Sequence, residues 1–232
     1  MKVTAIIVAG GQGLRMETAV RKQYLELDGI PVLQHTLRVF SMCPVISDIC
    51  LVIPHSDHDY CREFIVSPLG SLKPVYLVSG GDERQQSVYN GLKSLNLSED
   101  DIVVIHDGVR PFVSCSSITE CSETAKHWGA AILAVPVSDT LKISGQGSLI
   151  EKTLDRNKVW AAQTPQAFKF GLIQRAHQSA ISNHFTGTDD ASLVEALGAP
   201  VKLVTGNRYN LKLTTQDDLL LASGLLKESK KQ

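Results

Sequence analysis

The N-terminal run of the chain constrains its fold more than any other stretch of the sequence. Apolar residues 5–9 lead directly into Gly10, Gly11 and Gly13. A short run of this kind, rich in Ile and Val and closed by glycines, favours a buried strand over a helix. Glycines at a strand exit let backbone N–H groups approach a ligand that a Cβ atom would keep away.

Three cations follow these glycines, at Arg15, Arg21 and Lys22. Positive side chains beside exposed N–H groups predict an anionic ligand, most simply a polyphosphate. The loop is not the dinucleotide fingerprint, because the third glycine position holds Met16 and the next predicted strand ends without a ribose-binding acid. It is not a Walker loop either, since no G-K-[ST] follows. These absences argue against a nicotinamide-dependent oxidoreductase.

The totals of the sequence exclude other classes of partner. The chain carries 23 Lys plus Arg against 24 Asp plus Glu, a formal net charge of −1. No overall positive field draws it to nucleic acid, so a local cluster must capture the anion. Five cysteines without a C-x-x-C pair argue against a disulfide framework and a zinc site. No apolar run reaches the length of about 18 residues that a membrane span needs, and we expect a cytoplasmic protein.

Short apolar runs alternate with amphipathic stretches up to Val135, which predicts an α/β fold with a doubly wound, mostly parallel sheet. We expect one domain over 1–232, and in its last helix we expect Leu220 to face inward. After the first strand, the expected strands are 49–53, 75–78, 102–105, 130–135, 201–204 and 211–213. The expected helices are 32–40, 56–65 with Ser56 as its cap, 84–95, 116–127, 171–181, 189–197 and 215–227.

Residues 137–155 break this alternation. Two short β-like segments flank the glycine-rich residues 144–148, a pattern typical of a hairpin. Because an isolated hairpin is marginally stable in water, this arm should lie against its own domain or against a second subunit. A homodimer formed through the arm is our hypothesis.

The exits of three predicted strands carry glycine together with charge, at 10–22, 80–84 and 106–111. The carboxyl ends of parallel strands meet at one edge of a sheet, so these loops should converge on one ligand site. At the third exit Asp107 is a candidate ligand for a metal ion or a ribose, and Arg110 for a phosphate. We expect His106 to be a core histidine rather than a base.

Several longer motifs carry a resemblance to a known family. They are Gly-Asp-Glu-Arg at 81–84, His-Asp-x-x-Arg-Pro at 106–111, Asp-Thr-Leu-Lys at 139–142, Asp-Arg-Asn at 155–157, Thr-Pro-Gln at 164–166, Thr-Asp-Asp-Ala at 188–191 and Asn-Leu-Lys-Leu-Thr at 210–214. In this order, over essentially the whole chain, they resemble the 2-C-methyl-D-erythritol 4-phosphate cytidylyltransferases of non-mevalonate isoprenoid synthesis. The resemblance implies a Rossmann-like α/β domain with flanking helices, a protruding β-arm and a homodimer.

The resemblance also implies an activity and roles for individual residues. CMP would pass from CTP, with Mg²⁺, to methylerythritol phosphate, releasing pyrophosphate. Arg15 and Lys22 would stabilise charge developing at the α-phosphate, whereas Arg156 and Lys212 would position the polyol phosphate. The other implied contacts with the polyol phosphate are Asp107, Arg110, Thr140 and Thr188. The implied CTP contacts are Ala9, Gly10, Gly11, Gly13, Gly81, Asp82 and Ser87.

Two further implications concern the metal and the arm. The CTP phosphates would hold most of the Mg²⁺ coordination, with Asp107 as the candidate protein ligand. The arm bearing Thr140 and Arg156 would reach across the dimer, so that one site draws on two chains. No general base is required, because a phosphate monoester with a second pKa of about 6 is already an anion at neutral pH.

The sequence departs from the family pattern in ways that keep alternatives open. Gly10 stands where the family more often has Ala, and Gly108 and Val109 stand where Ala or Ser and then Ala are usual. Gln163 before Thr-Pro-Gln is similar to the ribitol-5-phosphate cytidylyltransferases. CTP-dependent transfer to ribitol 5-phosphate or another polyol phosphate is therefore the alternative activity. A nucleotide-binding module without activity is the non-enzymatic alternative, against which the retained Arg15 and its companion cations argue.

Overall fold

The computed structural model describes residues 1–11, 21–70 and 72–229. Its strands are β1 (Val3–Val8), β2 (Glu26–Leu27), β3 (Ile30–Pro31), β4 (Asp48–Ile53), β5 (Val75–Ser79), β6 (Ile102–Asp107), β7 (Ala130–Pro136), β8 (Lys142–Ser144), β9 (Ile150–Thr153), β10 (Trp160–Lys169) and β11 (Lys202–Thr205). Its helices are α1 (Val32–Met42), α2 (His58–Tyr60), α3 (Arg84–Ser94), α4 (Cys115–Trp128), α5 (Phe170–Ser182), α6 (Asp190–Ala196) and α7 (Gln216–Ser229).

A seven-stranded mixed sheet in the order β11-β7-β10-β6-β1-β4-β5 forms the centre of the fold. The pairs β1–β4, β1–β6, β4–β5 and β7–β11 are parallel, whereas β10 runs antiparallel to both of its neighbours. The predicted α/β fold with a mostly parallel sheet is confirmed. The sequence did not predict β10, because its middle residues 163–166 are polar and include Pro165, which is unusual inside a central strand.

Helices cover both faces of the sheet. Every residue of β1, β4 and β6 is buried, as expected for central strands of a parallel sheet. Successive side chains alternate between faces, so Ile7 joins the core formed with α1 and α4 while Ile6 joins the core formed with α3 and α5. This packing fixes the strand ends, from which the loops of the candidate site project.

The predicted cap at Ser56, the predicted strand at 211–213 and the predicted inward position of Leu220 were wrong, whereas the helical character of 56–65 is confirmed. Residues 56–65 are helical but irregular, and Ser56 donates to Asp57 Oδ1 at 2.8 Å inside a 3-10 turn that already begins at His55. Residues 211–213 do not form a strand; they lie in a loop in which Leu213 N donates to Val109 O at 2.9 Å. Leu220 is 72% exposed. Because leucines occupy three consecutive positions, 219–221, the helical spacing of apolar residues did not determine which leucine faces inward.

The arm at 137–155 contains the predicted hairpin. β8 and β9 pair antiparallel, and the arm leaves the main sheet after β7 and returns at β10. Leu149 and Ile150 near its tip are 73% and 66% exposed. Apolar side chains on a projecting element are a common feature of protein interfaces. The division into one domain with an arm stays a prediction.

The cysteines and the membrane-span prediction can be compared with the described residues. All five cysteines are free thiols. In the described part of the chain, no helix has both the length and the apolar character needed to cross a membrane.

Candidate active site

A cavity of about 770 Å³ lies at the carboxyl edge of the sheet, where β1, β5 and β6 end. Its volume is in the usual range for small-molecule sites. The lining residues are Val8, Ala9, Gly10, Gly11, Arg21, Lys22, Gln23, Pro54, His55, Gly80, Gly81, Asp82, Glu83, Arg84, Ser87, Asp107, Val109, Lys212 and Thr214. The three strand exits therefore converge on one cavity, as their glycines and charges predicted.

Most of the site residues proposed from the sequence line this cavity. They are Ala9, Gly10, Gly11, Lys22, Gly81, Asp82, Ser87, Asp107 and Lys212. Gly13 and Arg15 lie outside the described residues. Arg110 lies behind Asp107, and Thr140, Arg156 and Thr188 are exposed side chains that do not contribute to the lining. Arg21, one of the three cations that predicted an anionic ligand, also lines the cavity, as do Gln23 and His55, which the sequence analysis did not assign to the site.

One backbone hydrogen bond and one side-chain amide hold the glycine exit of β1 in place. Ala9 N donates to Val52 O at 2.8 Å, which extends the sheet pairing by one residue. The buried Gln23 donates from Nε2 to Ala9 O at 2.7 Å. This bond holds the segment that begins at Arg21 against the strand exit, and it places Lys22 beside the glycines.

The exit of β5 folds back onto the first turn of α3. Gly81 N donates to Ser87 Oγ at 3.0 Å, and Asp82 N donates to Gln86 Oε1 at 3.0 Å. A Cβ atom on Gly81 would collide with the side chain of Gln86, so a larger residue there requires that side chain to move. The turn directs the start of α3 at the cavity, and a helix N-terminus favours anions.

Asp107 is the centre of an ion cluster at the exit of β6. Its side chain is 7% exposed, and its two oxygens contact three cations. Oδ1 lies 3.2 Å from Arg84 Nε, while Oδ2 lies 2.9 Å from Lys212 Nζ and 3.4 Å from Arg110 Nε. Arg84 is the last residue of the Gly-Asp-Glu-Arg motif at 81–84. On its own, that motif indicates only the start of a helix.

The cluster keeps Asp107 ionised. Burial by itself would raise the pKa of this carboxyl, but Arg84, Lys212 and Arg110 outweigh burial and hold the pKa far below its usual range. Burial lowers the pKa of the Arg110 guanidinium, which Asp107 partly offsets. A carboxylate that stays charged supplies a fixed anchor, so the surrounding cations keep their orientation before any ligand arrives.

The unpredicted strand β10 supports this cluster. Its pairing with β7 shifts register between Ala162 and Gln166. Within the shifted segment, Thr164 Oγ1 accepts a hydrogen bond from Asp107 N at 3.1 Å and lies 3.0 Å from His106 Nδ1. The irregular segment therefore fixes the backbone of the residue that anchors the cations.

The same segment fixes the residues that flank Lys212. Asn210 is buried, and its Nδ2 donates to Thr164 O at 2.8 Å. The carbonyl of Asn210 in turn accepts from Arg110 Nη1 at 2.8 Å. Lys212 is thus held two residues from an anchored asparagine, and its ammonium reaches the cavity.

His106 is a core residue, as expected. Its side chain is fully buried, and its ring packs on Phe40 with a centroid separation of 4.9 Å. Burial lowers the pKa of His106 to about 4, so the imidazole is neutral at physiological pH. It lies behind Asp107 and orients Thr164, and it does not face the cavity lining.

The described residues do not form a metal site of their own. No group of three or more His, Cys, Asp or Glu side chains in the described part of the chain is placed to hold a metal ion. Asp107 already contacts cations through both of its oxygens. The residues present therefore fit a divalent ion carried by a phosphorylated ligand, and do not fit one held by the protein alone.

Comparisons with known proteins agree over nearly the full chain. A sequence model of the family described as IspD, 2-C-methyl-D-erythritol 4-phosphate cytidylyltransferase, matches residues 3–228. The chain is 49% identical over 227 residues to the 2-C-methyl-D-erythritol 4-phosphate cytidylyltransferase of Syntrophus aciditrophicus, covering 98% of this chain and 97% of that protein. It is 46% identical over 228 residues to the protein of the same name from Geotalea uraniireducens, with 98% and 97% coverage.

Solved structures show the same similarity. The 4-diphosphocytidyl-2C-methyl-D-erythritol synthase of Anaerococcus prevotii superposes with a TM-score of 0.86 at 34% identity, covering 97% of this chain and 96% of that chain. The 2-C-methyl-D-erythritol 4-phosphate cytidylyltransferase of Francisella tularensis superposes with a TM-score of 0.82 at 33% identity, covering 97% and 99%.

The neutral state of His106 predicts how stability depends on pH. An unfolded histidine binds a proton near pH 6.5, whereas folded His106 does so only near its pKa of about 4. Between these values the unfolded state binds more protons at this residue, so His106 alone should lower the free energy of unfolding by ~1.4 kcal/mol per pH unit as the pH drops. Urea unfolding at a series of pH values measures this slope.

His106→Gln removes the titrating group and should flatten that slope by about one proton. His127→Gln, at an exposed position in the last turn of α4, is the control and should keep the wild-type slope. An unchanged slope in His106→Gln would contradict the assignment of His106 as a buried neutral imidazole.

Proposed function

The chain belongs to the 2-C-methyl-D-erythritol 4-phosphate cytidylyltransferase family, and we propose that its cavity binds CTP against the exits of β1 and β5, with the polyol phosphate beside Asp107. Membership of this family makes the chain a nucleotidyltransferase that acts in non-mevalonate isoprenoid synthesis. The observation that carries the proposal is that Lys22, Arg84 and Lys212 line the same cavity as the two glycine turns.

The proposed CTP site consists of the two glycine turns. Ala9, Gly10, Gly11 and Gly13 follow β1, while Gly81, Asp82 and Ser87 belong to the turn after β5. Backbone N–H groups in such turns suit the oxygens of a nucleotide, and the start of α3 adds a favourable dipole. A bound Mg²⁺, held mainly by the phosphates of CTP, would supply positive charge that offsets the charge of the triphosphate.

The proposed transfer needs electrostatic stabilisation more than proton transfer. An oxygen of the polyol phosphate attacks the α-phosphorus of CTP, and the bond from that phosphorus to the pyrophosphate leaving group breaks. The attacking phosphate is already ionised at neutral pH, since its second pKa is about 6. Lys22 and Arg15 are assigned to the charge that develops at the α-phosphate. Fixed cations stabilise such a transition state without reorganisation of solvent.

The polyol phosphate is assigned to the Asp107 side of the cavity. Lys212 has a side chain that is 38% exposed while Asp107 holds its ammonium, so it combines access with a fixed position. Arg110 is only 12% exposed and contacts Asp107 and Asn210 O, which suits a supporting role. Thr188 lies two residues before the buried Asp190 and completes the assigned set on this chain.

Two further assigned residues lie on the arm. Thr140 and Arg156 are exposed, and Arg156 Nη1 donates to Ser138 O at 3.0 Å within the arm itself. Because neither residue lines the cavity of its own chain, we assign them to the cavity of a second copy in a homodimer. The exposed Leu149 and Ile150 supply apolar surface for that contact.

Pyrophosphate release from CTP tests the activity and the polyol specificity together. We expect turnover with methylerythritol phosphate, and a kcat/KM for ribitol 5-phosphate lower on the order of 10²-fold, because sites that bind hydroxyl groups reject a mismatched pattern. Lys22→Ala should lose about 10²–10³ in kcat, the usual cost of one such contact. Faster turnover with ribitol 5-phosphate would assign the chain to the alternative polyol. Absence of CTP-dependent pyrophosphate release with every polyol phosphate would refute the proposal.

Mixing two inactive variants tests whether the arm completes a partner's site. Arg156→Ala and Lys212→Ala should each impair use of the polyol phosphate. Mixed dimers of the two contain one site with both native residues, so activity should return to about a quarter of wild type after random pairing in a two-fold dimer.

Arg156→Ala mixed with Thr140→Ala is the matched control. Both substitutions lie on the arm, so every site in a mixed dimer remains defective and activity should not return. A monomer in ultracentrifugation, or no recovery in the first mixture, would contradict the shared site.

A further inference from the structure

A buried chain of charges continues from Asp107 beyond the cavity. Arg84 contacts two carboxylates at once, through Nε to Asp107 Oδ1 at 3.2 Å and through Nη1 to Asp190 Oδ2 at 2.7 Å. The Asp190 side chain is 1% exposed and lies outside the cavity lining. The proposed mechanism gives this carboxylate no task.

The helix that begins at Asp190 does not need its carboxylate. Asp189 caps α6, because its Oδ1 accepts from Ser192 N at 2.9 Å in a capping box. Gln166 Oε1 accepts from Asp190 N at 3.1 Å and so fixes the backbone. Asp190 is thus a buried charge at a helix start whose N–H groups have other partners. Burial of a charge costs free energy unless a partner compensates for it.

Arg84 is the main compensating partner of Asp190. Burial would raise the pKa of the Asp190 carboxyl, but Arg84 and then His177 outweigh burial and lower it. His177 Nε2 lies 3.3 Å from Asp190 Oδ1. Three cations around two carboxylates leave the cluster one positive charge in excess, which suits a phosphate nearby.

We propose that Asp190 is a positioning residue that acts on the polyol phosphate side of the cavity through Arg84. Asp190 holds one end of the Arg84 guanidinium, and the other end holds Asp107 Oδ1. This leaves Oδ2 of Asp107 turned toward Lys212 and Arg110. The inference rests on the proposed function, in which Lys212 positions the polyol phosphate.

Loss of the Asp190 charge would free Arg84 to move toward Asp107. Arg84, Arg110 and Lys212 would then compete for a single carboxylate, and the ammonium of Lys212 would lose its fixed position. Small displacements of a positioning group are costly, since about 1 Å of misplacement can lower a rate 10²-fold. The consequence should fall on the polyol phosphate and not on CTP, which occupies the glycine turns.

Kinetics of Asp190→Asn, Arg84→Ala and the double variant test this coupling. Asp190→Asn keeps the shape of the side chain and should lower kcat/KM for methylerythritol phosphate about tenfold, within the range of pairwise couplings. The KM for CTP should change by less than about threefold. In the Arg84→Ala background, Asp190→Asn should change kcat/KM for methylerythritol phosphate by less than about twofold, because the effect of Asp190 passes through Arg84.

Glu195→Gln is the matched control, since it removes one carboxylate charge from the same helix at an exposed position. It lies outside the ion cluster and should keep wild-type kinetics. Arg84→Lys retains the charge but cannot reach both carboxylates, so it should reproduce the kinetic defect of Asp190→Asn even where Asp190→Asn is poorly folded. Multiplicative losses in the double variant, or wild-type kinetics in Asp190→Asn, would overturn the inference.

A urea unfolding cycle on the same three variants separates this inference from the proposed function. It needs no substrate, so it remains informative where the wild-type protein fails to turn over a polyol phosphate. The midpoint shifts of Asp190→Asn and Arg84→Ala should be clearly non-additive. Additive shifts would show that the two side chains are not coupled, and would overturn the positioning role whatever the substrate.

Discussion

The buried carboxylate of Asp107 is the interaction on which the candidate site depends. Arg84 comes from the start of α3, Arg110 from the loop after β6, and Lys212 from the segment before α7, yet all three contact this one group. Buried ion clusters contribute little to stability when compared with apolar packing. Their value here is geometric, because three distant segments share one anchor and cannot move independently.

In the proposed mechanism, that anchor lets the site promote the transfer of CMP without a general base. Two phosphorylated substrates repel each other, and negative charge moves onto pyrophosphate as the bond breaks. In the proposed mechanism, the cations fixed by Asp107 and the Lys22 side chain beside the glycine exit would stabilise that charge without first rearranging. The neutral His106 does not take part in proton transfer, and it supports the anchor through Thr164.

The sequence predicted the elements that follow local rules. Buried parallel strands have apolar runs, and their glycine-rich exits must meet at one sheet edge. The sequence pattern therefore predicted the position of the cavity and the presence of Asp107 in it. β10 was not, because the residues 163–166 that support Asp107 are polar and include Pro165, which resembles a loop. Arg84 and Asp190 each read as part of a helix start, and only the fold brings them within 2.7 Å of each other. The proposed contact of the arm lies on a second chain, and the sequence of one chain does not show how two copies would pack.

The most direct test of this account is the kinetics of Asp107→Asn, which keeps the shape of the anchor and removes its charge. The account predicts that kcat/KM for the polyol phosphate falls about 10²–10³-fold, while the Kd for CTP stays close to the wild-type value in a protein that remains folded by circular dichroism. Near-normal kcat/KM for the polyol phosphate in folded Asp107→Asn would contradict it.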